Sequence, residues 1–192
     1  MNRRTFLQAV AIALVGCRRS QPHTEPQSQQ PSQSQASSAV DALLDLMNQR
    51  LAVMYDVARA KWNTKSPTED AARERAVLDS VAEHGKKFAL DPATTRAFFA
   101  AQIEAAKMIQ RAAFAMWQAE GRGPFPDAPD LARDIRPKID DLGRKLLAAL
   151  AEFQRLGRVP SAELRQRADA RLVGPGVTPE VRAEAIRPLE AA

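Results

Sequence analysis

A helix-like stripe of side chains near residue 50 mixes apolar residues with cations, and this pattern constrains the fold most. Its steps of four and three residues are those of one face of an α-helix, and its members are Leu43, Met47, Arg50, Met54, Val57 and Lys61. A buried charge is costly unless it is paired. The stripe therefore predicts a helical bundle in which Arg50 and Lys61 have an anionic partner, and a bound ligand is one candidate.

Two later stripes are interrupted by a polar residue in the same way. Gln110 interrupts an apolar stripe that runs from Phe99 to Trp117, and Arg136 interrupts one that runs from Ala132 to Leu150. A buried amide must find partners, so Gln110 is expected to bond a neighbouring helix or to donate to a ligand oxygen. For Arg136 the alternative is a frayed helix start, where the side chain reaches solvent.

The spacing of the two cations on the first stripe suits a small dianion. Arg50 and Lys61 are eleven residues apart, which on a helix is about 20° out of register and about 16 Å along the axis. Two long side chains could therefore hold the two ends of one ligand. The alternative is a pair of salt bridges to acids on neighbouring helices.

A second polar group opens a predicted helix at Asp70, Arg73 and Glu74. These side chains could extend a polar pocket at the end of the core. The alternative is a first-turn acid cluster, which favours a helix N-terminus, with Arg73 as its counterion.

The composition predicts an all-α protein and excludes several function classes. Of the 192 residues, 45% are hydrophobic and only 5% aromatic, which favours closely packed helices over a β-sandwich. The formal charge is +5, but cations and acids alternate along the helices, and no aromatic-plus-basic motif predicts nucleic-acid binding. The sequence also lacks metal-ligand spacing, a glycine-rich phosphate loop and a nucleophile–base arrangement.

The N-terminus is typical of an export signal. Two arginines precede a short apolar run that is too short to span a bilayer. The segment 14–17 resembles a bacterial lipoprotein signal, so we expect cleavage after residue 16 and lipidation of Cys17; the alternative is a stray thiol in a cleaved signal. The Ser/Gln/Pro-rich stretch 17–37 predicts a disordered tether, which would hold a folded domain, 38–192, near a periplasmic membrane surface.

Local signals predict three long helices, a fourth long helix and two short C-terminal ones. Ser38 with Asp41 forms a capping-box pattern for the first helix, and Ser66 with Pro67 forms a start signal for the second. Pro137 is expected to kink the fourth helix or to mark its true start. The predicted helices are 38–63, 66–84, 92–120, 130–156, and two short ones that begin at Ser161 and Thr178. The tail beyond residue 156 is the least defined part.

Several segments, taken in order and spacing over roughly residues 38–150, carry a family resemblance. They are QRL at 49–51, KW at 61–62, EDAARE at 69–74, DP at 91–92, FF at 98–99, QIEA at 102–105, IQ at 109–110, Trp117, DL at 130–131 and RPKID at 136–140. Together they resemble the all-helical chorismate mutases, specifically the exported gamma subclass. The resemblance implies a Claisen rearrangement of chorismate to prephenate without a metal or cofactor, in a homodimer whose sites each lie within one protomer.

The resemblance also implies a role for each polar residue of the stripes. By the family pattern, the substrate carboxylates are bound by Arg50, Arg73 and Arg136. The ether oxygen is faced by Lys61 and Gln110, and the ring hydroxyl by Glu74, with Asp70 beside it. Some exported relatives have a glutamate at the position of Gln110, and an amide donates at any pH, so a flat rate profile around neutrality is expected.

Two alternatives remain open at the level of sequence. A non-catalytic helical envelope lipoprotein would pair Arg50, Lys61 and Arg136 with protein acids and would expose apolar patches. An isochorismate pyruvate-lyase of the same fold would need a similar pocket, because it also breaks an ether bond.

Overall fold

A computed structural model describes residues 33–191 of the chain, and this part is all-helical, as the composition predicts. The helices are α1 (Gln33–Ala52), α2 (Met54–Thr64), α3 (Ala71–Gly85), α4 (Pro92–Ala119), α5 (Arg136–Arg155), α6 (Ser161–Arg171) and α7 (Pro179–Glu190). The predicted signal peptide, the lipidation site Cys17 and most of the predicted tether lie outside the described residues.

Local sequence signals set several helix boundaries where they were predicted. The Asp91 carboxylate caps α4 by accepting a hydrogen bond from the Thr94 backbone N–H, and Thr178 caps α7 in the same way. Two helices, α1 and α2, replace the single predicted first helix. Val53 is the one residue between them that is not helical. The stripe continues across this break, so Arg50 and Lys61 still face the same side.

Two predicted helix starts are wrong. Helix α1 begins at Gln33 rather than at Ser38, so it includes residues 33–37 of the predicted tether. Ser38 therefore lies inside the helix, and the carboxylate of Asp41 accepts from Arg167 and Arg171 of α6 instead of closing a capping box. Helix α3 begins at Ala71, and its N-cap is Asp70 rather than Ser66.

The start of the fourth long helix follows one of the two alternatives for Pro137. A five-residue π-helical segment, Leu131–Ile135, comes first, and Asp130 caps it by accepting from the Arg133 backbone N–H at 2.6 Å. Regular α-helix then begins at Arg136, with Pro137 in its first turn, where the missing N–H costs no hydrogen bond. Pro137 therefore marks the true start of α5.

The packing of the core places the polar stripes of α1, α2, α4 and α5 around one space. Helix α4 packs against α2, α3 and α7, while α1 packs against α5. Fully buried side chains at these contacts include Leu43, Met47, Phe98, Phe99, Leu146 and Leu150. The polar stripes of α1, α2, α4 and α5 consequently face one another.

The C-terminal tail belongs to the same core. Its buried members are Leu164, Ala168, Leu172, Val181, Ala185, Ile186 and Leu189. The turn before α7 lies against α4, because a Cβ added at Gly176 (φ +77°) would lie 2.9 Å from Cγ2 of Ile109. Helix α7 thus supports α4, the helix that carries Gln110, while α6 packs against α1 and α7. None of the helices in residues 33–191 has the length and apolar content needed to cross a bilayer.

Candidate active site

A cavity of about 460 Å³ lies between α1, α2, α3, α4 and α5. All seven residues singled out from the sequence line it: Arg50, Lys61, Asp70, Arg73, Glu74, Gln110 and Arg136. Apolar side chains such as Val57, Val81 and Phe99 complete its walls. The fold therefore brings the polar members of separate stripes to one space.

Arg50 is the most deeply buried cation of the cavity, with 6% of its surface exposed. Its only hydrogen bond within the described chain runs from Nη1 to the backbone carbonyl of Gln102, at 3.5 Å. Burial lowers the pKa of Arg50 to about 10, so the guanidinium remains charged at neutral pH. A buried cation without a protein anion favours an anionic ligand.

Lys61 extends into the cavity at the far end of the same stripe. Its Nζ donates to the backbone carbonyl of Thr68 at 2.8 Å, and no carboxylate of residues 33–191 lies within ion-pair distance. Burial lowers the pKa of Lys61, while the charges of Asp70 and of two nearby glutamates oppose that shift. The ammonium therefore has N–H groups left for a ligand.

The two outer arginines lie at the rim. Arg136 is exposed, as its frayed-start alternative expected, but it lines the cavity and forms no ion pair with a described carboxylate. Arg73 on α3 lies 3.6 Å from the Asp140 carboxylate on α5. The non-catalytic alternative required Arg50, Lys61 and Arg136 to pair with protein acids, and within residues 33–191 none of the three does.

Gln110 has hydrogen-bonding capacity that the protein does not use. It is 4% exposed, and its Nε2 donates to the backbone carbonyl of Ala106 at 3.1 Å. The second contact of Nε2 is a weak one of 3.9 Å to the sulfur of Met54, and the buried Oε1 has no partner in the described chain. A polar ligand atom could displace the sulfur contact at small cost.

The acids at the start of α3 serve the helix as well as the cavity. Asp70 accepts from the Arg73 backbone N–H at 3.0 Å, and Glu74 Oε1 accepts from the Asp70 backbone N–H at 3.3 Å. The other oxygen of Glu74 accepts from Lys107 Nζ at 3.1 Å. These residues therefore cap a helix and also line the cavity, but Arg73 is not the counterion that the second alternative expected, because its guanidinium pairs with Asp140 and Glu74 pairs with Lys107.

Comparisons with known proteins agree with this geometry. The family described as chorismate mutase type II matches residues 37–111. A solved structure of a chorismate mutase from Burkholderia thailandensis is 34% identical, with a TM-score of 0.72 over 79% of this chain and 99% of that one. The chain belongs to the type II chorismate mutase family.

Relatives named as exported enzymes are also similar. A secreted chorismate mutase from Mycolicibacterium smegmatis is 30% identical over 60% of this chain and 63% of its own length. One from Yersinia pestis is 33% identical over 56% of each chain. This chain thus spans less than two thirds of the length of these curated relatives.

Sequence reasoning missed several polar groups at the cavity, among them Lys107, Asp140 and Thr68. Lys107 follows Ala106 on α4 and lines the cavity, although it lies beside the apolar stripe rather than on it. Asp140 reaches the rim from α5, and Thr68 contributes only a backbone carbonyl. Of Lys107, Asp140 and Thr68, only Asp140 lies in a segment that carries the family resemblance. Among the described residues, no group of three or more metal-binding side chains has an arrangement that could hold an ion.

Proposed function

We propose that this protein is a chorismate mutase, which rearranges chorismate to prephenate. The observation that carries the proposal is the buried guanidinium of Arg50, which faces a cavity without a protein carboxylate within ion-pair distance in the described chain. Lys61 lines the same cavity with N–H groups left to donate, and one N–H of Gln110 Nε2 is held only by a weak 3.9 Å contact to the sulfur of Met54. Membership of the family and the printed names of the relatives support this assignment.

The proposed reaction asks only for binding and electrostatic stabilisation. Chorismate carries two carboxylates and an ether bond; in the rearrangement that C–O bond breaks while a C–C bond forms within the same molecule. No nucleophile or proton transfer is needed, so the rate depends on holding the reactive conformer and on stabilising charge at the ether oxygen. Arginines, a lysine and an amide supply this chemistry.

Each polar side chain has a proposed role. Arg50, Arg73 and Arg136 bind the two carboxylates, Arg50 from inside the cavity and the other two from its rim. Lys61 and Gln110 donate hydrogen bonds to the ether oxygen as negative charge develops on it.

The acids at the start of α3 complete the proposed site. Glu74 accepts a hydrogen bond from the ring hydroxyl, and Asp70 contributes negative charge beside it. Their positions, at the N-terminal turn of α3 and beside the cavity, support this assignment.

The direct test is an assay of the purified protein with chorismate. Loss of substrate absorbance, with chromatographic identification of prephenate and no release of pyruvate, would support a mutase rather than a lyase. Because we propose no cofactor, a chelator should leave the rate unchanged. A folded protein without turnover would contradict the proposal.

We also propose export to the periplasm and anchoring by a lipid on Cys17. The signal-like residues 1–16 and the secreted relatives support this proposal. Wild-type protein should label with a fatty-acid probe and fractionate with membranes. Cys17→Ser should be unlabelled and should leave the membrane fraction; labelling that persists in this variant would contradict the lipid assignment.

A homodimer with one complete site per protomer is the proposed assembly, as in the gamma subclass that the sequence resembles. Every residue with a proposed role lies on the same chain around one cavity, which supports a site that needs no partner residue. Light scattering should give twice the chain mass, while specific activity should stay constant on dilution. A rate per site that falls as dimers dissociate would contradict this assembly.

A further inference from the structure

Lys107 is a cation of the cavity to which the proposed reaction gives no role. It lies on α4, and its side chain is 16% exposed. Its Nζ lies 3.1 Å from a carboxylate oxygen of Glu74 on α3 and 3.1 Å from one of Glu104 on its own helix. Burial lowers the pKa of Lys107, but the two carboxylates outweigh burial and raise it. Lys107 is therefore a charged residue that bridges two carboxylates.

Glu74 interacts with two lysines but forms an ion pair with only one of them. Its charge acts on Lys61, where it opposes the lowering of the pKa by burial. Its direct ion pair is nevertheless with Lys107. Lys61 instead donates to the carbonyl of Thr68.

Two consequences follow for a dianionic ligand. A carboxylate beside such a ligand repels it unless a cation neutralises the carboxylate. An unrestrained Glu74 could also turn towards Lys61 and occupy the ammonium that the ligand oxygen needs. The ion pair of Glu74 with Lys107 counters both effects.

We propose that Lys107 is a positioning residue that holds and neutralises Glu74 and thereby leaves the ammonium of Lys61 free for the substrate. This inference rests on the proposed function. It adds a residue that touches no reacting atom and acts through Glu74. The carboxylate of Glu74 then keeps its remaining lone pairs for the ring hydroxyl.

Arg111 provides a matched control on the same helix. It pairs with Glu104 and lies 3.5 Å from Glu69, so it belongs to the same chain of charges. It is 46% exposed and does not line the cavity. Removing its charge changes the surface network without touching Glu74.

The experiment compares kcat and KM of the full protein for Lys107→Gln, Lys107→Arg and Arg111→Gln, after circular dichroism has shown that each folds. Loss of a hydrogen bond between charged groups predicts a fall of about ten-fold in kcat/KM for Lys107→Gln. Partial rescue is expected for Lys107→Arg, and Arg111→Gln should stay near wild type. Equal effects of Lys107→Gln and Arg111→Gln would overturn the proposal.

A double-mutant cycle separates positioning from simple support of the fold. In the Glu74→Gln background there is no carboxylate to hold, so Lys107→Gln should cause little further loss. The same ten-fold loss in that background would show that Lys107 acts by another route and would overturn the proposal.

Glu104→Gln provides a test that does not depend on Lys107→Gln folding. It removes the second partner of Lys107 and one of the two partners of Arg111. Lys107 then pairs with Glu74 alone, so activity should be kept or raised. A large loss would contradict the proposal. Absence of turnover in the wild-type protein would instead refute the proposed function, so the two failures are distinguishable.

Discussion

The guanidinium of Arg73 lies 3.6 Å from the carboxylate of Asp140, and this ion pair joins α3 to α5 across the rim of the cavity. By the proposed role of Arg73, Asp140 would compete with a substrate carboxylate for its guanidinium. Asp140→Asn should lower KM for chorismate by about two- to five-fold, the range of an exposed ion pair, with kcat little changed.

The neighbouring Asp141 is the control for this prediction. Its partners are Arg144 and Lys145, which lie on its own helix. Asp141→Asn should leave KM near wild type in the same steady-state assay. A rise in KM for Asp140→Asn would show that Asp140 orients Arg73 rather than competing for it.

Arg136 should affect binding more than turnover. The proposed role of Arg136 is to bind a carboxylate in both the ground and the transition state, so Arg136→Ala should raise KM about ten-fold or more with a smaller change in kcat. Arg133→Ala is the control, because Arg133 is an exposed arginine that pairs with its neighbour Asp134. A fall in kcat at unchanged KM would instead assign Arg136 to the transition state alone.

The pH dependence of the rate should reflect Lys61 rather than Gln110. An amide does not titrate, so kcat/KM should be flat from mildly acidic to mildly basic pH. Burial lowers the pKa of Lys61 from the 10.5 of an ordinary lysine. The protonated form is the donor, so activity is present below the pKa of the folded protein and lost as pH rises through it, below 10.5. A steep fall at neutral pH would contradict the assignment of Gln110.

The ion pairs of Asp41 should make the free energy of unfolding depend on pH in the acidic range. Burial raises the pKa of Asp41, but hydrogen bonds from Arg167 and Arg171 outweigh it and lower the pKa below 3.8. The stabilisation is therefore present above 3.8 and lost as pH falls through the lowered pKa. Asp41→Asn should reduce the free energy of unfolding in urea by about 1 kcal/mol at pH 7, and the difference should shrink by pH 3. An equal loss at both pH values would show that charge is not the cause.

Residues whose burial follows from helical periodicity could be found from the sequence. Arg50, Lys61 and Gln110 interrupt apolar stripes, and an interruption of this kind predicts a polar group facing the core. The starts of α4 and α7 were predictable for a similar reason, since Asp91 and Thr178 act within a single turn.

The features that could not be predicted depend on contacts between distant segments. Ser66 and Pro67 give a start signal, yet α3 begins only at Ala71. In the segment between them, the carbonyl of Thr68 accepts a hydrogen bond from Lys61 of α2. Lys107 was missed because its partner on α3, Glu74, lies 33 residues earlier in the sequence. Local patterns carry no information on such pairings.

The most direct test of the account replaces Lys61 and measures conversion of chorismate to prephenate. Lys61→Ala should lower kcat on the order of 10²- to 10³-fold, the cost of one preorganised donor to a developing oxyanion, with unchanged helical content. Lys65→Ala, at an exposed lysine one turn further along, should keep the wild-type rate. A near-wild-type rate for Lys61→Ala would contradict the proposed site, and no prephenate from the wild-type protein would contradict the proposed function.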